Sequence, residues 1–400
     1  MPQHRPAAVV LAAAMSAVVA TTLAGVGPAH ADDTWSVPSR ASIIIKGHGY
    51  GHGHGMSQHG AEGAARQGKS HRQILRFYYP GTRVGEAKGR VTVLITADTT
   101  DDLVVRARRG LTVRDSAGGG RVTLPDNGAS RWRVAVTSNG VDRVSYRTDR
   151  WRRWRDLKGY GEFAARGPIT LVTPAGHTAY RGKLRAVPAS PASRARDTVN
   201  VTSLENYVKG VVPREMPATW TPAAVRAQAV AARTYAAYER AHPLSSRYQI
   251  CDTTSCQVYG GVSAEHPDSN RAVNATRGEI RAHRGEPAFT QFSSSSGGWT
   301  SAGSRSYLPA QPDPYDGWSG NPHHSWSVKV TDGRIENAFP KIGNLRRIVV
   351  LRRDGNGQWG GRVESIKLVG GSGSTTVSGD DFRFALGLQS EWVTFRVRSR

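Results

Sequence analysis

Residues 198–243, TVNVTSLENYVKGVVPREMPATWTPAAVRAQAVAARTYAAYERAHP, pass from a β-prone run into a long helical pattern. Thr221 before Pro222 is an N-cap with proline at the first helical position, and Val225, Ala229, Ala232 and Ala236 keep one face small or apolar up to about Ala241. This predicts one long helix beside β-structure. Just before it stands Glu215, between Pro213 and Pro217, on stiff backbone with Val211, Val212 and Met216 as apolar neighbours. That setting raises a carboxyl pKa toward the range of an acid catalyst. Glu205, near Ser203, reads as an acid suited to a helix start.

Upstream, residues 90–187 read as strands: RVTVLI, LVVRA, GLTVRD, RVTLPD, RWRVAVTS, RVSYRT and PITLVT, parted by Gly, Asn and Asp turns. They predict an all-β module, within which Trp151, Trp154 and nearby Trp132 mix with arginines as a strand pair with one wet face. VPASPASRAR, residues 187–196, reads as a connector. Before the module, the apolar run Ile43–Ile45 leads into the loop GHGYGHGHGMSQHGAEGAARQGKS, residues 47–70. A short helix follows, with Ile74, Leu75 and Tyr78 at helical spacing before Pro80-Gly81. Alternating His48, His52, His54 and His59 invite a metal, but glycine at every other position argues for a floppy site that pays ordering entropy. The C-terminal stretch after FTQFSSSSGGWT is β-rich again, and no internal repeat is visible.

The first residues carry His4 and Arg5, an apolar run from Ala7 to about Ala24, and Ala29-His30-Ala31, the pattern of a secretory signal peptide over residues 1–31. The expected location is outside the cytoplasmic membrane, secreted or held at the cell wall. In that compartment Cys251 and Cys256, the only two cysteines, default to a local disulfide. The 54 Lys and Arg against 31 acids give a net charge of +23. Export turns that charge away from nucleic acid and toward anionic wall polymers.

Several of these segments together resemble the SpoIID/LytB family: SLENYVKGVVPREMPATWTPAAVRAQAVAARTYAAY, CQVYGG, FSSSSGGWT, VSGDDFRFALGLQS and GHGHGMSQHGA. The resemblance covers most of residues 42–82 and 198–400. It implies a lytic transglycosylase that cuts peptidoglycan glycan strands between N-acetylmuramic acid and N-acetylglucosamine, with Glu215 as catalytic residue and growth or sporulation as its setting. The LytB name also implies the alternative of a non-catalytic, wall-binding enhancer of a cell-wall amidase. By the same resemblance His54, Ser57 and Gln58 touch sugar or hold Glu215, Gln228, Arg233 and Tyr235 face substrate from the long helix, and Ser294, Ser295 and Gly297 border the groove. No cofactor is required. Zinc at Cys251 and Cys256 with a nearby histidine such as His242 stands as the alternative to the disulfide. The sequence departs from the family arrangement in one respect: the GHGHGMSQHGA motif comes first, where it otherwise follows the FSSSGG-like segment. The resulting expectation is an α+β protein: residues 32–88 with the Gly/His motif, a β-rich module at 89–190, and a mixed core at 191–400 containing one long helix.

Overall fold

The computed structural model describes residues 33–400, so the expected signal peptide lies outside the described residues. The architecture is α+β, with seven α-helices among several sheets in the described residues. Ala41–Gly47 alternates as its sequence requires: Ala41, Ile43 and Ile45 are buried while Lys46 is exposed. It does not stay with the residues that follow. It is the middle strand of a three-stranded antiparallel sheet whose flanks are Trp326–Thr331 and Val393–Ser399.

The Gly/His loop is rigid rather than floppy. Gly49, Gly51, Gly53 and Gly55 all have positive φ, at 77°, 99°, 74° and 66°, which explains a glycine at every second position. A Cβ on Gly55 would stand 2.1 Å from the Gln291 carbonyl oxygen. Backbone bridges from Tyr50 to Ser295 and from His54 to Ser301 fasten the loop to the serine-rich segment. The loop also ends sooner than its composition suggests. Ser57 caps a helix, α1 (Gln58–Arg66), and α2 (His71–Tyr78) follows with a capping box from Ser70 and Gln73.

The β-rich stretch forms two sheets. One has six strands in the order 151–156, 142–147, 131–136, 103–106, 169–173, 176–180. The other has seven, in the order 250–251, 90–94, 196–203, 183–188, 161–164, 112–115, 122–123. Strand Arg196–Ser203 lies inside the second sheet, paired with Lys183–Pro188 and Arg90–Leu94. The expected connector is therefore a turn between two paired strands, and the boundary placed at residue 190 runs through a sheet. The expected Trp/Arg strand is there as Trp151–Asp156, at the edge of the six-stranded sheet, with Arg133 stacked on Trp151 and Arg155 on Trp154.

Beyond the sheets come α3 (Leu204–Glu215), α4 (Pro222–Ala241) and α5 (Pro267–Ala275). The long helix α4 was expected to bury one face, but Ala224, Ala227, Val230, Ala231 and Ala237 are buried as well. It is packed by α1, α2, α3, α5 and strand Glu279–His283, and only small side chains let so many neighbours approach one helix. One apolar core runs from Met56 to Leu308 through these helices and both large sheets. A second core lies under α6 (Asp332–Ala338), α7 (Gly379–Leu386) and the C-terminal strands, and it includes Ile43 and Ile45. No helix of the described residues is long and apolar enough to cross a membrane.

Candidate active site

Helix α3 starts at Ser203, whose side chain accepts from the Asn206 N–H, and carries Glu205 in its first turn. It stops because Met216 precedes Pro217 and takes extended dihedrals, φ −140° and ψ 142°. Glu215 is thereby the last helical residue, its side chain turned toward the CQVYGG segment. Its Oε1 accepts the Val258 N–H at 2.8 Å, and the Gln58 side chain also hydrogen-bonds to it. Burial raises the Glu215 pKa, opposed by the Val258 N–H, Arg214 and Gln58, and the rise prevails. The result is a half-buried carboxyl group that holds its proton at higher pH than a free glutamate.

The Val258 donor is itself fixed. Tyr207 donates its hydroxyl to Gln257 Oε1 at 3.1 Å, Tyr259 donates to Asn200 Oδ1 at 2.9 Å, and the two tyrosine rings lie 4.9 Å apart. Gly210 of α3 permits this closeness, since a Cβ there would meet the Tyr259 ring at 2.6 Å. At the start of the segment Cys251 and Cys256 form a disulfide. Neither sulfur is then free to bind zinc, and His242 instead stacks on Tyr238 at 4.3 Å. Among the described residues no three His, Cys, Asp or Glu side chains converge on a metal position.

Next to Gln58, an aromatic group surrounds His59. Its ring lies 4.8 Å from Trp220, 5.5 Å from His323 and 6.0 Å from Trp318, whose Nε1–H bonds to the His59 carbonyl. Tyr50, exposed, stands 4.9 Å from His323. Burial, with His323 adding to it, lowers the His59 pKa to about 4, so its ring is neutral at ordinary pH. These half-buried aromatic faces suit stacking on sugar rings.

The other residues singled out in the sequence fall into two groups. His54 and Ser294 are half-buried: His54 stacks on His52 at 4.8 Å, and the Ser294 carbonyl accepts the His59 N–H. Ser57, Ser295 and Gly297 are interior framework instead. All three donate to Asp316, which also receives the Ser296 N–H, the Asn321 amide and a His324 Nδ1 hydrogen bond. Burial pushes the Asp316 carboxyl up, but these bonds outweigh it and hold the group below the usual carboxylate range. Beside it Asp313 accepts from Tyr78 and Ser296, and burial together with Asp316 raises its pKa to about 7.

On α4, Arg233 is fully buried and makes paired 2.9 Å bonds to both oxygens of Glu205. It braces α3 against α4 and has no surface to offer a ligand. Gln228 is likewise fully buried, its amide without a partner among the described residues. Tyr235 is half-buried against Phe289 at 5.4 Å. Of the carboxylates that could assist Glu215 in hydrolysis, Glu205 is committed to Arg233 and Asp252 is bonded to Thr96. Sequence reasoning missed the Val258 N–H, Trp220, Trp318, His323 and Asp316. CQVYGG was a visible signal for the first; the DPYDGW segment, residues 313–318, carried no recognisable one.

Comparison with known proteins places part of the chain beside named relatives. Residues 192–283 match the family model described as stage II sporulation protein. The chain is 38% identical over 136 residues to an uncharacterised protein of Brachyspira hyodysenteriae, covering 33% of this chain and 36% of that protein. It is 38% identical over 121 residues to the amidase enhancer of Bacillus subtilis, covering 28% of this chain and 16% of that protein. Stage II sporulation protein D of Bacillus subtilis is 29% identical over 280 residues, 56% of this chain and 77% of the relative. The match thus spans about a third of the first relative and a smaller part of the second, but most of the third. The family model and these relatives, with the PREMP glutamate set at the end of α3, support a SpoIID/LytB assignment for residues 192–283.

Proposed function

We propose that the protein is an exported cell-wall enzyme that cleaves peptidoglycan glycan strands without water. The observation that carries the reading is Glu215: a single half-buried carboxyl group, proton-retaining, oriented by Val258 and by Gln58, whose chain neighbour His59 packs on Trp220. In the proposed step Glu215 protonates the oxygen between N-acetylmuramic acid and N-acetylglucosamine, and the C1–O bond breaks. The resulting carboxylate takes the proton of the muramic acid C6 hydroxyl as its oxygen bonds to C1. Glu215 ends protonated again, and the product carries a 1,6-anhydro ring. One carboxyl group does both jobs, whereas hydrolysis uses two. Export is supported by the charged and apolar pattern of the first residues. Retention at anionic wall polymers is supported by the net charge of +23.

The test is mass spectrometry of purified peptidoglycan, intact and amidase-stripped, incubated with the protein and with Glu215→Gln. Anhydromuramyl products from the wild type, reduced about 10³-fold in the variant, are expected. Reducing ends in their place would mean hydrolysis and sink the mechanism. The relative named amidase enhancer favours a second reading, a non-catalytic partner of a cell-wall amidase. Under that reading neither protein yields products alone, but both accelerate a purified amidase.

A further inference from the structure

Arg106, Arg131 and Arg147 stand in one row across the six-stranded sheet, on three neighbouring strands. Arg131 is the Cα partner of Arg106 on one side and of Arg147 on the other, and Arg147 faces Trp151 of the edge strand. Adjacent strands lie about 4.8 Å apart, so the three side chains leave the backbone within about 10 Å of one another. Like charges directly opposite each other across strands are destabilising. Nothing in the chain relieves this row. Arg106 Nη2 lies 3.0 Å from His177 Nδ1, and the Arg131 and Arg147 guanidinium groups have no acidic partner among the described residues.

The row lies on the face turned away from the core. Leu103, Val105, Trp132 and Val134, which alternate with these positions, are buried in the same core as Phe163 and Leu184 of the seven-stranded sheet. Arg106 and Arg147 are exposed and Arg131 is partly so. Arg133 and Arg153 extend the face, both opposite Ser145, and a register shift between Val144 and Ser145 brings Asp156 onto it as well. Its acids are already engaged at the far end: Asp156 pairs with Arg143 and Arg153, and Asp102 lies 3.6 Å from Arg133. Asp149, in the adjoining turn, pairs with Arg152.

We infer that this sheet face is a docking surface for a linear polyol-phosphate polymer of the cell wall. A phosphate presents several oxygens to planar guanidinium forks on either side of it. A phosphodiester chain also carries a charge at every repeat, as closely opposed arginines require, whereas a peptide-free glycan strand carries one carboxylate for each pair of sugars. Single-stranded nucleic acid shares the phosphodiester but gains much of its affinity by stacking bases on aromatic faces. Here Trp151 ends the row, and one side of its indole is covered by Arg133, 4.3 Å from the ring centroid. The choice of a wall polymer rests on the proposed export; the unrelieved row does not. The face shares no residue with the surroundings of Glu215, so a chain docked on it would hold the enzyme at the wall while the other site works.

The test is calorimetric titration of the full chain with poly(glycerol phosphate) at several salt concentrations. Hyaluronan, with one carboxylate for each pair of sugars, and oligothymidylate of equal phosphate number serve as comparisons. Arg131→Gln with Arg147→Gln should weaken polymer binding about tenfold and reduce the slope of log K against log salt by about two. Arg346→Gln with Arg347→Gln removes the same charge from exposed positions of the C-terminal sheet and should change binding less than about twofold. Because the row repels itself, the first double variant should melt no lower than the wild type, so that lost binding is not lost fold. Equal weakening by the two double variants would overturn the inference, as would tighter binding of hyaluronan or of oligothymidylate. Polymer binding at this face by a protein that releases no anhydro products would uphold it and remove the transglycosylase reading alone.

Discussion

Glu215 is pulled in two directions: burial favours its protonated form, while the Val258 N–H and Gln58 amide favour its carboxylate. An acid catalyst must start protonated, so activity should fall as pH rises through this raised pKa. Removing a donor to the carboxylate raises the pKa further. Gln58→Met should therefore shift the descending limb of kcat against pH upward, by about one unit. A limb that stays in place would show that Gln58 does not touch the charge. Asp313 gives a second, structural titration. Its folded pKa of about 7 lies above the ordinary 3.8, so from pH 4 to pH 7 the native state keeps a proton that the unfolded chain has lost. Stability due to this group falls as pH rises through that window. His324, raised chiefly by its hydrogen bond to Asp316, acts in the same direction, fully stabilising below 6.5 and less above its folded value. Between pH 5 and pH 8 the wild-type Tm should drop about 3 °C more than that of Asp313→Asn, as read by calorimetry. At this scale the sequence was legible where chemistry is local. Two prolines and apolar neighbours mark Glu215, whereas Asp316 draws its partners from residues 57, 295, 321 and 324, and no window of sequence contains them together.

Helices α3 and α4 are joined by Arg233 and Glu205, a pair with 0% and 14% side-chain exposure. Truncating one member leaves the other charge uncompensated in the interior. Arg233→Ala should cost about 3–5 kcal/mol in urea denaturation, and adding Glu205→Gln should recover part of it. A loss under 1 kcal/mol would mean that the pair is solvated. The start of α4 shows how a correct boundary can conceal its cause. Thr221 is the N-cap, as its position before Pro222 indicates, yet its side chain makes no cap hydrogen bond. Its Oγ1 donates to Glu62, which also accepts the Thr221 N–H. Helix α1 thus secures the entry to α4, so the elements were readable from periodicity and capping, while the contacts between them depend on pairs 159 residues apart.

Across the whole molecule, the sequence divides into three textual blocks, but the cores cut across them: one runs from Met56 to Leu308, and the other joins Ile43 and Ile45 to the C-terminal strands. Alternation made the strands of residues 90–187 legible; nothing local told that Arg196–Ser203 would sit among them. The matched family segment, residues 192–283, takes that strand, Ile250–Cys251 and Glu279–His283 without their neighbours. Expressed alone it should give an amide spectrum without native dispersion, because two strand edges and the buried sides of α4 would face water. A dispersed spectrum would show that this segment folds by itself.

The strand that leads into the Gly/His loop lies against the final strand, and the Arg400 N–H bonds to the Arg40 carbonyl at 3.0 Å. Topologically the path is nearly a ring, with a gap that a tight turn could bridge. Opening such a ring at the exposed Gly81 and closing it from 400 to 41 would put the Gly/His motif last and keep Ala41–Gly47 between its two partner strands, at the loss of strand Asp33–Ser36. The order of motifs along this chain is then a choice of where the ring is cut, and the order in which residues leave the ribosome is separable from the site they build.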